Sequence, residues 1–174
     1  DIILNDSATF FDNCKEKISL NSISISDSIL NSSLILNGIT FKQFTIKNCK
    51  VKNKFEFRSN EGESFEVTNT NFEKHTDFYN SAIQYLKFNT CVVESFSSEE
   101  CTFGERLNNE LQPVNFEYVT FKSLATFRGS KFFSGLNLDR ANFNDHPNFL
   151  NCEVIIDNTT RETFRIIKNS FDQV

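Results

Sequence analysis

Residues 114–154 read VNFEYVTFKSLATFRGSKFFSGLNLDRANFNDHPNFLNCEV. In this stretch Phe116, Phe121, Phe127, Phe132, Leu138, Phe143, Phe149 and Val154 follow one another at steps of five or six. Two positions ahead of each stand Val114, Val119, Ala125, Ser130, Leu136, Ala141, Pro147 and Cys152. The unit is a small or apolar residue, a polar one, a large apolar one, and two mostly polar residues. Residues i−2 and i point the same way on extended backbone, because side chains alternate. A period of five is neither 2 nor 3.6, so neither a plain strand nor a helix sustains it. The chain must turn after each short extended piece and restart with its apolar pair facing inward.

The same frame continues upstream through Ile18/Leu20, Ile23/Ile25, Ser28/Leu30, Leu34/Leu36, Ile39/Phe41, Phe44/Ile46, Cys49/Val51 and Phe55/Phe57. It resumes with Phe65/Val67, Thr70/Phe72, Thr76/Phe78, Ser81/Ile83, Leu86/Phe88, Cys91/Val93 and Cys101/Phe103. Of the 17 Phe between residues 18 and 154, 16 take one of the two slots, 15 of them in these pairs and Phe96 five residues ahead of Cys101, and Phe133 alone falls outside, which makes this frame the dominant signal. Four sides close a square coil, and successive coils stack at about the 4.8 Å strand spacing. The expected fold is all-β, a right-handed quadrilateral β-helix of about six and a half coils, on the order of 30 Å long. From Phe116 onward two sides consume 11 residues, which predicts a coil of about 22.

Two places interrupt the frame. Residues 58–64 put Gly62 where a large apolar residue is due, and Gly-Glu-Arg-Leu-Asn-Asn-Glu after Phe103 reads as about three extra residues. Residues 1–17 are expected to cap one end, and the repeats to span 18–157. At the other end Thr159 and Glu162 have capping-box spacing, and Phe164, Ile167 and Phe171 follow at helical intervals. These predict a C-terminal capping helix over 158–174, cut from a longer protein.

The residue pattern resembles that of the pentapeptide-repeat protein family, whose consensus is a small residue, Asp or Asn, Leu or Phe, a small polar residue and a variable one. Ala125-Thr-Phe127-Arg-Gly129, Leu136-Asn-Leu138-Asp-Arg140 and Ala141-Asn-Phe143-Asn-Asp145 carry the resemblance best, within a match over roughly 18–154. Some members of that family mimic DNA and bind type II topoisomerases, so the resemblance implies DNA gyrase as one alternative partner.

Charge is uneven. Residues 55–117 hold 12 Asp or Glu against four Lys or Arg, while the whole chain carries −5. An acidic middle argues against nucleic-acid binding, which needs a basic footprint. A mimic would instead gather Glu61, Glu63, Glu94, Glu99, Glu100, Glu105 and Glu110 into one stripe facing a basic groove. Cys49, Cys91, Cys101 and Cys152 fall in the i−2 slot, where a free thiol acts as a small hydrophobe in a reducing, cytoplasmic setting. The five Cys and two His lack metal-ligand spacing. His75 and His146 have no Ser, Cys or carboxylate placed by a known motif to form a triad, so surface or corner roles are expected. Phosphate loops and a run of 18 apolar residues are absent from the sequence. These readings point to a non-enzymatic, cofactor-free interaction or scaffold module that binds another protein, with homodimerisation through an exposed coil end also open.

Overall fold

The computed structural model describes residues 17–104 and 113–154, together with the backbone of residues 2–5. The expected caps over 1–17 and 158–174, apart from 2–5 and residue 17, lie outside the described residues. Within them the chain is an all-β parallel solenoid of about six turns, with no helix.

Each apolar pair lies directly over the equivalent pair of the next coil, and four pairs make a coil. On the first side Ile18, Ile39 and Asn60 lead the pairs of successive coils, followed by Ser81, Cys101, Ser130 and Cys152. The second side stacks Ile23, Phe44, Phe65 and Leu86, then Val114 and Leu136. The third stacks Leu30, Val51, Phe72, Val93, Phe121 and Phe143. The fourth runs through Leu34, Phe55, Thr76, Phe96 and Ala125, and Ile2–Asn5 adds a strand beside Leu34–Asn37.

The four sides are two sheets rather than four. Strands such as Ile39–Lys47 and Ala82–Asn89 cross the first and second sides without interruption, and Asn71–Tyr79 crosses the third and fourth. The sheets meet at sharp corners where one residue takes left-handed backbone. Asp27, Asn48, Asn69, Thr90, Tyr118 and Arg140 form one column of such corners. Gly38, Ser59, Asn80, Glu100, Gly129 and Asn151 form the other, and all twelve have φ between 44° and 69°. Asn and Gly tolerate this conformation at little cost, whereas other residues need their surroundings to hold it.

The core is an aromatic ladder. Phe44 stacks on Phe65 with centroids 4.8 Å apart, and Phe121 on Phe143 at the same distance. That spacing is the strand spacing itself, so in-register Phe rings stack face to face along the axis. Across the rod the rings meet edge on, as Phe57 and Phe65 do at 5.1 Å and 72°. Such pairs contribute about 0.5–1.5 kcal/mol each beyond their burial. Phe133, outside the frame, is 38% exposed.

Three details differ from expectation. Leu34 faces Phe55 and Phe55 faces Thr76, so the early coils take 21 residues, whereas 22 holds from Val114, which faces Leu136, onward. The stretch 58–64 is no break, because Glu61–Thr68 is continuous strand and Asn60 and Gly62 occupy the two slots. Gly62 is required there: a Cβ would lie 2.0 Å from Cζ of Phe41, whose ring fills the missing volume. Finally, Thr102 lies 20 residues beyond its partner Ala82, but Asn115 lies 28 beyond Lys87, so the insertion is eight residues rather than three.

Candidate functional site

The small polar residues in the i−2 slots serve the corners. A left-handed residue interrupts the ladder and leaves the next backbone N–H without a strand partner. Side chains one coil on take it up: the Ile39 N–H donates to Asn60 Oδ1 at 2.9 Å and the Asn60 N–H to Ser81 Oγ at 3.1 Å. The Cys101 N–H likewise donates to Ser130 Oγ at 3.2 Å. Cysteine fits the slot for more than its size. The thiols of Cys49 and Cys91 donate to the carbonyls of Lys47 and Asn89 across their own corners, at 3.1 and 3.2 Å. Burial pushes the Cys91 thiol up to about 11 and Cys101 to about 12, so both stay protonated and unreactive.

The acidic residues of the middle segment do not line up. Glu61 and Glu63 follow each other outward on the first side, Glu94 stands where the third side bends into the fourth, and Glu99 and Glu100 close the fourth side. Glu105 and Glu110 lie outside the described residues. Three of the five described carboxylates are held by cations of the same rod. Glu61 pairs with Lys17 at 2.7 Å, Glu99 with Arg128 at 2.8 Å and Glu94 with Lys122 at 3.8 Å. Glu61 and Glu100 do come together, at a polar hollow of about 230 Å³ with Lys17, Asn60 and Asn80. Because consecutive residues travel round four sides, a charge-dense stretch of sequence is spread over several edges.

The densest polar constellation is on the outer face of the fourth side, and the sequence reading missed it. Arg58 donates through Nε to Oδ2 of Asp77 at 2.9 Å and through Nη2 to the same oxygen. Ser97 donates to Asp77 Oδ1 at 2.7 Å. His75 lies between two hydroxyls, with Nε2 2.9 Å from Ser97 Oγ and Nδ1 2.8 Å from Ser95 Oγ. Asp77 and Ser97 are 7% and 6% exposed although they point away from the core, because their neighbours cover them. Glu56 is bound to Lys54 and lies 3.5 Å from Arg58, and the Arg58 guanidinium sits 5.8 Å from the Tyr79 ring centre.

His75 stands part-exposed where the third side bends into the fourth, and the hydroxyls beside it belong to residues 20 and 22 further on in sequence, one coil on, where motif spacing does not reach. Residues at i and i+20 or i+21 become neighbours only once the coil length is known. Burial is the main influence lowering the His75 pKa from its ordinary value, reinforced by Lys54 and Arg58 and opposed by Asp77 and Glu99. The imidazole is therefore neutral at pH 7.

A second, plainer ladder runs along the opposite corner, where Asn69 donates to Asn48 at 2.9 Å and Asn48 to Asp27 at 2.9 Å. No group of three or more potential metal-ligating side chains occurs among the described residues, and none of their helices could cross a membrane because they include no helix. Set beside known proteins, the chain matches no family model, no curated protein and no solved structure.

Proposed function

We propose that this chain is a degenerate pentapeptide-repeat protein that works as a rigid interaction scaffold, presenting a flat outer face to another protein. The observation that supports this reading best is the fourth side, where side chains of consecutive coils bind one another across the surface. Arg58 holds Asp77 of the next coil, His75 holds Ser95 and Ser97, and Glu99 holds Arg128. A surface whose side chains are already fixed loses little further entropy on docking. Arg and Tyr, both present at its rim as Arg58, Tyr79 and Arg128, are the residue types that anchor protein interfaces.

The DNA-mimic reading has less support. A mimic needs carboxylates free to meet a basic groove, and Lys17, Lys122 and Arg128 already neutralise three of the candidates. The expected affinity for DNA gyrase at low salt is nil, with or without neutralising substitutions at the seven glutamates.

The scaffold reading is tested by quantitative affinity capture with three forms: the natural protein, Arg58→Glu/Arg128→Glu on the fourth side, and Lys47→Glu/Lys87→Glu on the second. The expected result is a partner retained by the natural protein and the second-side variant but lost from the fourth-side variant, with all three equally folded. Equal capture by all three forms overturns the assignment of the face.

A further inference from the structure

We propose that Ser95 is a base-activated nucleophile on the outer face of the fourth side, an attachment site for acyl groups delivered by activated esters or thioesters. This goes beyond the scaffold reading and does not depend on it.

The direction of each proton in the constellation follows from its innermost member. Asp77 is ion-paired with Arg58, and a carboxylate only accepts. Ser97, 2.7 Å from Asp77 Oδ1, must therefore spend its proton there and turn its lone pairs toward His75. Nε2 of His75, 2.9 Å from that oxygen, then has to be the nitrogen bearing hydrogen. Nδ1 is left as a bare lone pair facing Ser95 Oγ at 2.8 Å, so Ser95 donates to it. A hydroxyl, a base within hydrogen-bond reach and a third group fixing the base's tautomer make the arrangement by which serine is activated. Neutral imidazole at pH 7 completes it, since burial, Lys54 and Arg58 outweigh the pull of Asp77 and Glu99.

The surroundings favour an acyl donor that leaves its acyl group behind. Leu124, one coil on from Ser95, is 49% exposed and offers an apolar rest for an acyl chain beside the hydroxyl. The Phe96 N–H next to Ser95 is already bound to the Leu124 carbonyl at 2.9 Å, so it cannot serve as an oxyanion donor. The geometry thus fits stoichiometric attachment rather than turnover. In the step itself Ser95 Oγ bonds to the acyl carbon and its proton passes to His75 Nδ1. The bond to the leaving oxygen or sulfur breaks, and His75 returns the proton to the departing group.

The test uses p-nitrophenyl acetate on the folded chain, with sites read by peptide mass spectrometry. The proposal expects acetyl on Ser95 at least about tenfold faster than on Ser24, an exposed outward serine of the second side. The rate should rise with pH as His75 loses its proton and level off from a midpoint below 6.5. His75→Gln keeps a hydrogen-bonding side chain but no base. It should slow Ser95 acetylation at least about tenfold while the melting profile stays cooperative. Acetylation of Ser95 no faster than Ser24, or unchanged in His75→Gln, overturns the proposal.

Discussion

Thr70 and Thr76 occupy inward slots of the same coil and have opposite energetic consequences. Thr70 follows a left-handed corner, accepts from the Cys49 N–H at 3.3 Å and donates to the Thr68 carbonyl at 3.0 Å. Thr76 is entered through a bend inside the strand Asn71–Tyr79, where no N–H is orphaned, and its buried hydroxyl has no partner. Thr70→Val should therefore lose about 1–3 kcal/mol, the penalty for stranding a buried donor. Thr76→Val should be neutral or stabilising, because it removes an unsatisfied hydroxyl without changing the shape. Urea unfolding of both variants checks this, and destabilisation of equal size at the two sites would contradict the division of labour between corners. The i−2 slot was legible from sequence as small, but its hydrogen-bonding task was not, since that task comes from the corner φ. A signal existed: seven of the twelve left-handed positions are Asn, Asp or Gly, two residues past each large apolar slot. The thiols belong at this scale too. With Cys91 near 11 and Cys101 near 12, a disulfide reagent at pH 8 should label them only after unfolding. Labelling of the folded chain at the rate of the unfolded one would contradict their burial.

One coil is the natural element of this molecule, and its stability is set by the aromatic column. Phe121 is fully buried between Phe96, Phe116, Phe127 and Phe143, so Phe121→Ala should cost about 3–5 kcal/mol. Phe133→Ala, on an exposed side chain outside the ladder, should stay within about 0.5 kcal/mol of the natural chain. Similar losses at both positions in thermal unfolding would refute the frame. The polar network of the fourth side adds a pH dependence. His75 binds a proton less readily folded than unfolded, so stability is complete above the unfolded value near 6.5. It falls as pH drops from there toward the lower folded value, and His75→Gln should flatten that part of the profile. The frame and the side count were legible because large apolar residues recur at fixed steps. The Gly62 side looked like a break because the volume due at Gly62 is supplied by Phe41 from the coil before. The eight-residue insertion looked like three because in sequence Leu111, eight residues after Phe103, reads as the next apolar slot, three beyond the usual step of five.

At the scale of the whole molecule, about six coils at about 4.8 Å each give a rod close to 30 Å long. Its interior is closed by phenylalanine, and its outside is a grid in which neighbours along the axis are about 21 residues apart in sequence. That wrapping explains why the acidic middle of the chain yields no single stripe and why the fourth-side constellation could not be read from motif spacing. It also sets the most direct measurement of the central claim, that apolar pairs of successive coils lie in parallel register. Thr45, Glu66, Lys87, Asn115 and Asn137 face outward in one column on five consecutive coils. Spin labels placed at Thr45/Asn115 and at Thr45/Asn137 should give narrow distance distributions by pulsed electron spin resonance. The second distance should exceed the first by about 4.8 Å, one strand spacing. Broad distributions, or two distances that do not differ by one coil, would contradict the stacked four-sided solenoid.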